Sequence, residues 1–447
     1  MTLPKYPKYK KTDVKWLTTV PYQWRLVRNK YFLKEVNNRS VTGKETLLTV
    51  SQYTGVTPRN NKIAPNQKNL TNAISLIDYK LVENNDIVMN IMLAWNGSLG
   101  VSRFQGIVSP AYCVYRSSEN GHPFYLHYLY RTPLFTTIFK TLSTGVVESR
   151  LRLYPHVFFQ LKTCLPPLSE QKQIASFLDA KSAQINRLTQ KKKRLIKLLK
   201  EYRQAIINQA VTRGLDPNVP LKPSGVEWLG DIPDHWKISR LRNLATIRAS
   251  GVDKHIVDGE TSVQLCNYSD VYKNDQITEK ITFMSATASE VEIINFKLFQ
   301  EDVIITKDSE DWRDIGVPAY VPKNIDHLIC GYHLALIRPL SYFINGKFLY
   351  RALLSETVAD QFRIFATGVT RFGLSQGSIK NAFIPLPPIE EQKQIVSFLD
   401  VKCAQINRSI SACQKEITLI EEYRTRLISD VVTGQIDVRH IDVGTTA

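Results

Sequence analysis

One stretch of the chain carries the residue types of a metal-dependent phosphodiester hydrolase. Glu301-Asp302-Val303-Ile304-Ile305-Thr306-Lys307 sets two acids and a lysine along an apolar strand, and metal-bound acids beside a lysine could activate a water. The related stretch around Asp86 has no lysine at the matching place, so the pattern is read as a strand ending in a charged loop and not as a nuclease centre. A methyltransferase acting on base amines needs an Asn/Asp-Pro-Pro-aromatic loop. The proline pairs here, Cys164-Leu165-Pro166-Pro167-Leu168 and Pro385-Leu386-Pro387-Pro388-Ile389, lack both the amide or acid and the aromatic. Neither a Gly-x-Gly-x-x-Gly loop nor a Gly-x-x-x-x-Gly-Lys-Ser/Thr loop occurs. The histidines and the cysteines (Cys113, Cys164, Cys266, Cys330, Cys403 and Cys413) show no metal-ligand spacing. The sequence therefore implies no catalytic centre, no metal and no cofactor bound by this chain.

What remains are side chains suited to contact rather than reaction. Reading base edges needs amides and guanidinium forks held at a groove, while phosphates need basic groups or N–H donors. Trp95, Asn96 and Ser98, with Arg103 just after, form a polar turn behind the apolar segment 87–92. The corresponding region later in the chain holds Lys307, Ser309, Trp312 and Arg313. Arg150 and Arg152 follow Thr144-Gly145-Val146, and Arg371 follows Thr367-Gly368-Val369. These eleven residues are the candidate DNA contacts.

Charge points the same way. The formal net charge is +17, and residues 1–220 hold 33 Lys+Arg against 12 Asp+Glu, whereas residues 221–447 hold 25 against 29. A field of that sign draws a polyanion to the first half, and nucleic acid is the commonest polyanion. Apolar residues are 43% of the chain and mean hydropathy is -0.20, as in ordinary globular proteins. No apolar run approaches the roughly 18–20 residues of a membrane span. The first residues, Met1-Thr2-Leu3-Pro4-Lys5, are not followed by a signal-peptide core. Reduced thiols in the cytoplasm, and no membrane partner, are the expectation.

The elements that must position the candidates are read from an internal repeat. Val14-Lys15-Trp16-Leu17 and Val20-Pro21-Tyr22-Gln23-Trp24 return as Val226-Glu227-Trp228-Leu229 and Ile232-Pro233-Asp234-His235-Trp236. Pro166-Pro167-Leu168-Ser169-Glu170-Gln171-Lys172-Gln173-Ile174 returns as Pro387-Pro388-Ile389-Glu390-Glu391-Gln392-Lys393-Gln394-Ile395, followed by Ser-Phe-Leu-Asp at 176–179 and 397–400. Two diverged bodies (about 20–165 and 232–386) thus precede two matched tails. Each body reads as strands and turns plus one helix near its end, around 122–140 and 345–365.

The tails read as long helices. A proline pair stops the strand before each. The apolar seam then runs through Ile174, Leu178, Ile185, Leu188, Leu195, Leu199, Tyr202 and Ile206, and in the second tail through Ile395, Leu399, Ile406, Cys413, Ile420, Tyr423 and Leu427. Four-three spacing predicts coiled-coil helices of about 35 residues. Alone in water neither would be stable, and each is the other's cheapest partner, antiparallel. The first is strongly basic between Arg187 and Arg203. That face fits a solvated surface, a phosphate-facing surface or a dock for an acidic partner.

The ordered double set of motifs, with Glu-Tyr-Arg at 201–203 and 422–424, strongly resembles the specificity subunit of type I restriction–modification enzymes from Trp16 to Gly434. The resemblance implies an α+β chain with two similar target-recognition domains, each followed by a long conserved helix, the helices pairing as an antiparallel coiled coil. The expected divisions are 1–165, 166–213, 214–386, 387–436 and a tail, 437–447. It further implies that each domain reads one half of an interrupted, asymmetric double-stranded DNA site and that the helices set the distance between halves. Two modification (methyltransferase) subunits and the restriction subunits would be the partners. Those partners, not this chain, would use S-adenosylmethionine, ATP and Mg2+. The missing basic excess in the second half departs from equal DNA contributions by the two domains.

Overall fold

The computed structural model describes residues 3–59, 75–147 and 150–442. Contacts divide the chain into two compact units, one reaching Lys192 and resuming at Lys415, the other running Lys193–Gln414.

In the first unit the strands Leu33–Val36, Tyr112–Ser117, Ile87–Asn90 and Leu99–Val101 lie side by side in that order, all antiparallel. The second unit repeats the arrangement with Ala245–Ala249, Leu334–Pro339, Val303–Thr306 and Pro318–Tyr320. The strands Ile87–Asn90 and Val303–Thr306 are buried throughout, which is why they read as unbroken apolar runs rather than alternating ones. In both, the acid just before the run is clasped by an arginine from the neighbouring strand. Asp86 takes Arg116 Nε at 2.8 Å and Nη2 at 3.0 Å, and Asp302 takes Arg338 Nε and Nη2, both at 2.9 Å. Burial pushes the Asp302 carboxyl up while Arg338 opposes the shift.

Where the sequence suggests one helix, around 122–140 and around 345–365, there are two, and a further short helix, Pro155–Gln160 or Gln376–Asn381, follows nearer the end of each body. Pro123–Tyr130 is followed by Pro133–Leu142, and Gly346–Leu353 by Glu356–Phe365. The break is a capping event: Thr132 and Ser355 are extended and their hydroxyls accept from Phe135 N and Val358 N. In the first module Thr132-Pro133, a capping residue before a proline, marks the break in the sequence; in the second only Ser355 does.

The matched motif brackets each long helix to its own module. Gln171 accepts from His122 N (2.7 Å) and donates to Asn120 O (3.0 Å) and Pro166 O (2.9 Å). Gln392 makes the same three bonds, to Asn345 N (2.8 Å), Phe343 O (3.1 Å) and Pro387 O (2.9 Å). Both amides are buried. Asp179 is held by Arg103 (3.2 Å) and Tyr128 (2.6 Å), and its counterpart Asp400 by Lys347 (2.5 Å) and Arg351 (2.9 Å). Glu170 accepts from the buried Trp24 indole at 2.8 Å.

The helices are longer than their seam suggested: Leu168–Arg213 has 46 residues and Ile389–Val432 has 44, each spanning about 65–70 Å at roughly 1.5 Å per residue. Within the first unit they run antiparallel, Asn186 Oδ1 accepting from Arg424 (3.1 Å) and Lys192 pairing with Glu416 (2.5 Å). Within the second unit Arg203 donates to Asn407 at 2.9 Å. The seam itself is partly displaced. Ile174, Leu178, Ile185, Ile395, Leu399, Ile406, Cys413 and Leu427 are buried, and Leu199, Ile206 and Ile420 are half-buried. Leu188, Leu195, Tyr202 and Tyr423 remain 42–57% exposed. Thr189, Ile196 and Arg203, one position on, are half-buried instead, and Cys403 and Ile410 in the second helix are buried. The reason is local. The helix ends enter the module cores, with Ile174, Phe177 and Leu178 in one and Ile207, Ala210 and Val211 in the other. Arg203 has polar company to meet: it bonds Asn407 and lines a cavity with Asp275, Lys347 and Asp400.

The tail, which has no repeat counterpart in the sequence, closes the first core. Val438 is fully buried, and Asp437 N donates to Pro4 O at 2.8 Å.

Candidate nucleic-acid interface

In the second unit the strand Val303–Thr306 runs into Lys307, whose carbonyl accepts from Leu374 N at 2.9 Å. Asp308 and Ser309 then pair with Gly373 and Phe372 as a short antiparallel ladder. This brings the loop after the strand against the loop that carries Arg371. Asp308 is central: Lys307 lies 3.0 Å and His333 3.1 Å from its Oδ2, and Arg371 Nη2 lies 2.9 Å from the other ring nitrogen of His333. Burial alone would raise the Asp308 carboxyl, but these hydrogen bonds hold it below its ordinary value. Trp312 is 48% exposed. Arg313 is exposed and forked onto Asp311 (2.6 Å), and its hydrogen bonds pull that acid down to about 2. The Ser309 hydroxyl is buried, accepting from Tyr268 at 3.1 Å.

The first unit builds the same junction. Ile91 O accepts from Leu153 N at 2.9 Å, and Thr144 and Arg152 exchange backbone bonds. Arg150 and Arg152 are exposed on that loop. Trp95 donates its indole N–H to Met92 O (3.0 Å), and Lys140 Nζ lies 5.6 Å from its ring. Asn96 caps its own turn, accepting from Ser98 Oγ at 2.8 Å, and Ser98 is 3% exposed.

Ten of the eleven candidates thus gather at equivalent junctions, five in each unit. Arg103 does not: it braces the long helix through Asp179 and lies 4.2 Å from the Phe124 ring centroid. Ser98 and Ser309 support their loops from within rather than presenting a hydroxyl. His333 and the stacked pair Tyr268–Tyr272 (ring centroids 5.7 Å apart) join the second junction without any sequence motif that marks them. The hydrolase-like pattern is taken apart by the fold. Asp302 is committed to Arg338, Glu301 accepts from Gly346 N at 3.0 Å and from Tyr320, and Lys307 is paired with Asp308. Among the described residues no group of three or more His, Cys, Asp or Glu could hold a metal ion. None of the described helices is long and apolar enough to cross a membrane.

Two repeats of one α+β module, each with a buried glutamine at the start of its long helix and paired loops beside its central strand, define a duplicated recognition fold. The model of the type I restriction modification DNA specificity domain matches residues 25–198 and again 233–418, and the chain belongs to that family, whose specificity subunits are the non-catalytic members of their complexes. It is 24% identical over 443 residues to the type I restriction enzyme MjaVIII specificity subunit of Methanocaldococcus jannaschii, covering 95% of each chain. To the EcoBI specificity subunit of Escherichia coli it is 28% identical over 242 residues, 52% of this chain and 49% of that one. The fold is shared with a chain from a structural study of complex assembly and conformational transition in the type I R-M system. That match has a TM-score of 0.68 at 16% identity and covers 93% of this chain and 99% of that one. It is also shared with the HsdS subunit of Thermoanaerobacter tengcongensis, with a TM-score of 0.53 at 18% identity, covering 92% and 96%.

Proposed function

We propose that each module reads one half of an interrupted, asymmetric duplex DNA site through its paired loops and delivers that site to two methyltransferase subunits and to restriction subunits. The observation that carries this reading is the duplicated junction: Ile91 with Leu153, and Lys307 with Leu374, hold the same two loops together by the same backbone bond in modules whose loop sequences differ. A constant frame under divergent loops is what two readers of different half-sites require. The partners would bind S-adenosylmethionine, ATP and Mg2+, and the complex would work in the cytoplasm. The paired helices would fix the length of the DNA spacer.

The test is methylation profiling of host DNA with and without the gene, followed by exchange of residues 20–165 for the first body of another family member. The expected result is a gapped methylated motif that disappears with the gene, and a swap that alters one half-site only. A swap that alters both halves would overturn the modular reading.

A further inference from the structure

The tripeptide Thr-Gly-Val stands at the same point of both modules, and the fold gives it a specific form. Thr144 exchanges backbone bonds with Arg152 (3.1 and 3.0 Å) and Thr367 with Gly373 (3.1 and 2.9 Å), so each loop is closed at its base. The glycine is obligatory. A Cβ on Gly368, at φ +147°, would lie 1.9 Å from Arg371 O, and one on Gly145 would lie 2.6 Å from Arg150 O. The next residue is lifted out of the protein altogether: Val146 is 96% exposed and Val369 is 94% exposed. A valine so placed contributes no burial to stability, and its branched side chain is stiff at χ1. Arg150 and Arg152 are exposed on the loop of Val146, and Arg371 is exposed on the loop of Val369, where its Nη2 lies 2.9 Å from His333 Nε2.

We propose that Val146 and Val369 are base-contacting residues, each entering the DNA groove from the tip of its loop, with the neighbouring arginines on the flanking phosphates. The proposal rests on the reading of the modules as DNA readers. The apolar group a base edge offers in the major groove is the C5 methyl of thymine, and a rigid isopropyl group held clear of the protein fits it. Arginine on phosphate adds affinity without sequence preference. The same loop in both modules then supplies one apolar contact per half-site, while the differing loops beside it supply the rest of the discrimination.

The experiment uses the full chain assembled with its methyltransferase subunit and a duplex selected from a randomised library. Affinity is measured at several salt concentrations for the parent, Val369→Ser, Val146→Ser and Arg371→Ala. The serine variants should fold as the parent does and bind the selected duplex about five- to tenfold more weakly, with unchanged salt dependence and unchanged affinity for unrelated duplexes. Replacing one thymine by uracil, which lacks the methyl, should reproduce the loss in the parent and have no further effect in the variant. For Val369→Ser that position should fall in one half-site and for Val146→Ser in the other. Arg371→Ala should weaken all duplexes and lower the salt slope by about one. Serine variants that bind like the parent, or that lose affinity for every sequence alike, would overturn the loop assignment. A parent complex with no salt-dependent duplex binding would instead overturn the reading of the modules themselves.

Discussion

Replacing Gln392 by leucine keeps the volume of a fully buried side chain and removes every hydrogen bond it makes. Three backbone groups lose their partner: the N–H of Asn345 and the carbonyls of Phe343 and Pro387. A buried polar group left unpaired costs about 1–3 kcal/mol. Phe343 is exposed and Asn345 half-buried, so water can reach two of the three groups, whereas Pro387 is buried. The expected loss is therefore about 2–4 kcal/mol rather than the full sum. Denaturant unfolding reads the total, and hydrogen exchange locates it, because the Asn345 amide should exchange faster. Gln392→Glu adds a signed test. A carboxylate could accept from Asn345, but its second oxygen would face two carbonyls, so the folded state favours the protonated acid and raises its pKa above the unfolded value of about 4.3. Stability from that proton is fully present below about pH 4.3 and is lost as pH rises through the folded pKa. The variant should be more stable at pH 5 than at pH 8. A leucine variant within about 0.5 kcal/mol of the parent, with unchanged exchange at 343–346, would refute the bracket.

Two further outcomes follow from the same geometry. Asp302→Ala, by breaking a clasp whose acid is 1% exposed, should cost about 2–4 kcal/mol in thermal or denaturant unfolding. Asp86→Ala should cost less, since Arg116 keeps Glu83 at 2.9 Å; equal losses would contradict this. Matched heptads inserted between Asn186 and Lys192 and between Glu416 and Arg424, where the structure pairs the two helices, should lengthen the preferred DNA spacer by about three base pairs. A folded, DNA-binding variant that keeps the parental spacer would show the helices to be an assembly platform only.

The duplication, the proline-bounded helices and the Glu-Gln motif were legible because they repeat in order. Their mechanical meaning was not, since nothing in Gln171 or Gln392 announces three backbone partners. Apolarity selects Leu188, Leu195 and Tyr202 for the seam. The structure half-buries Thr189, Ile196 and Arg203 instead, and Arg203 can be polar there because it bonds Asn407 and faces Asp275 and Asp400 across a cavity. Sequence proximity groups Arg103 with Trp95, yet the fold turns it toward Asp179. The exposed valines were visible only as a faint repeat, because exposure is a property of the closed loop and not of the tripeptide.

The interlocking of the two ends of the chain sets an order of events during synthesis. Leu427, Val431, Val432 and Val438 belong to the core that also holds Trp24, Tyr125 and Cys164, so the first unit cannot complete its interior until residues 427–438 emerge. The second unit, Lys193–Gln414, is contiguous and can close as soon as it leaves the ribosome. At about 5–20 residues per second, the first half waits roughly 13–50 s with its aromatic core open. Truncation from the carboxyl end is thus expected to damage the amino-terminal reader first.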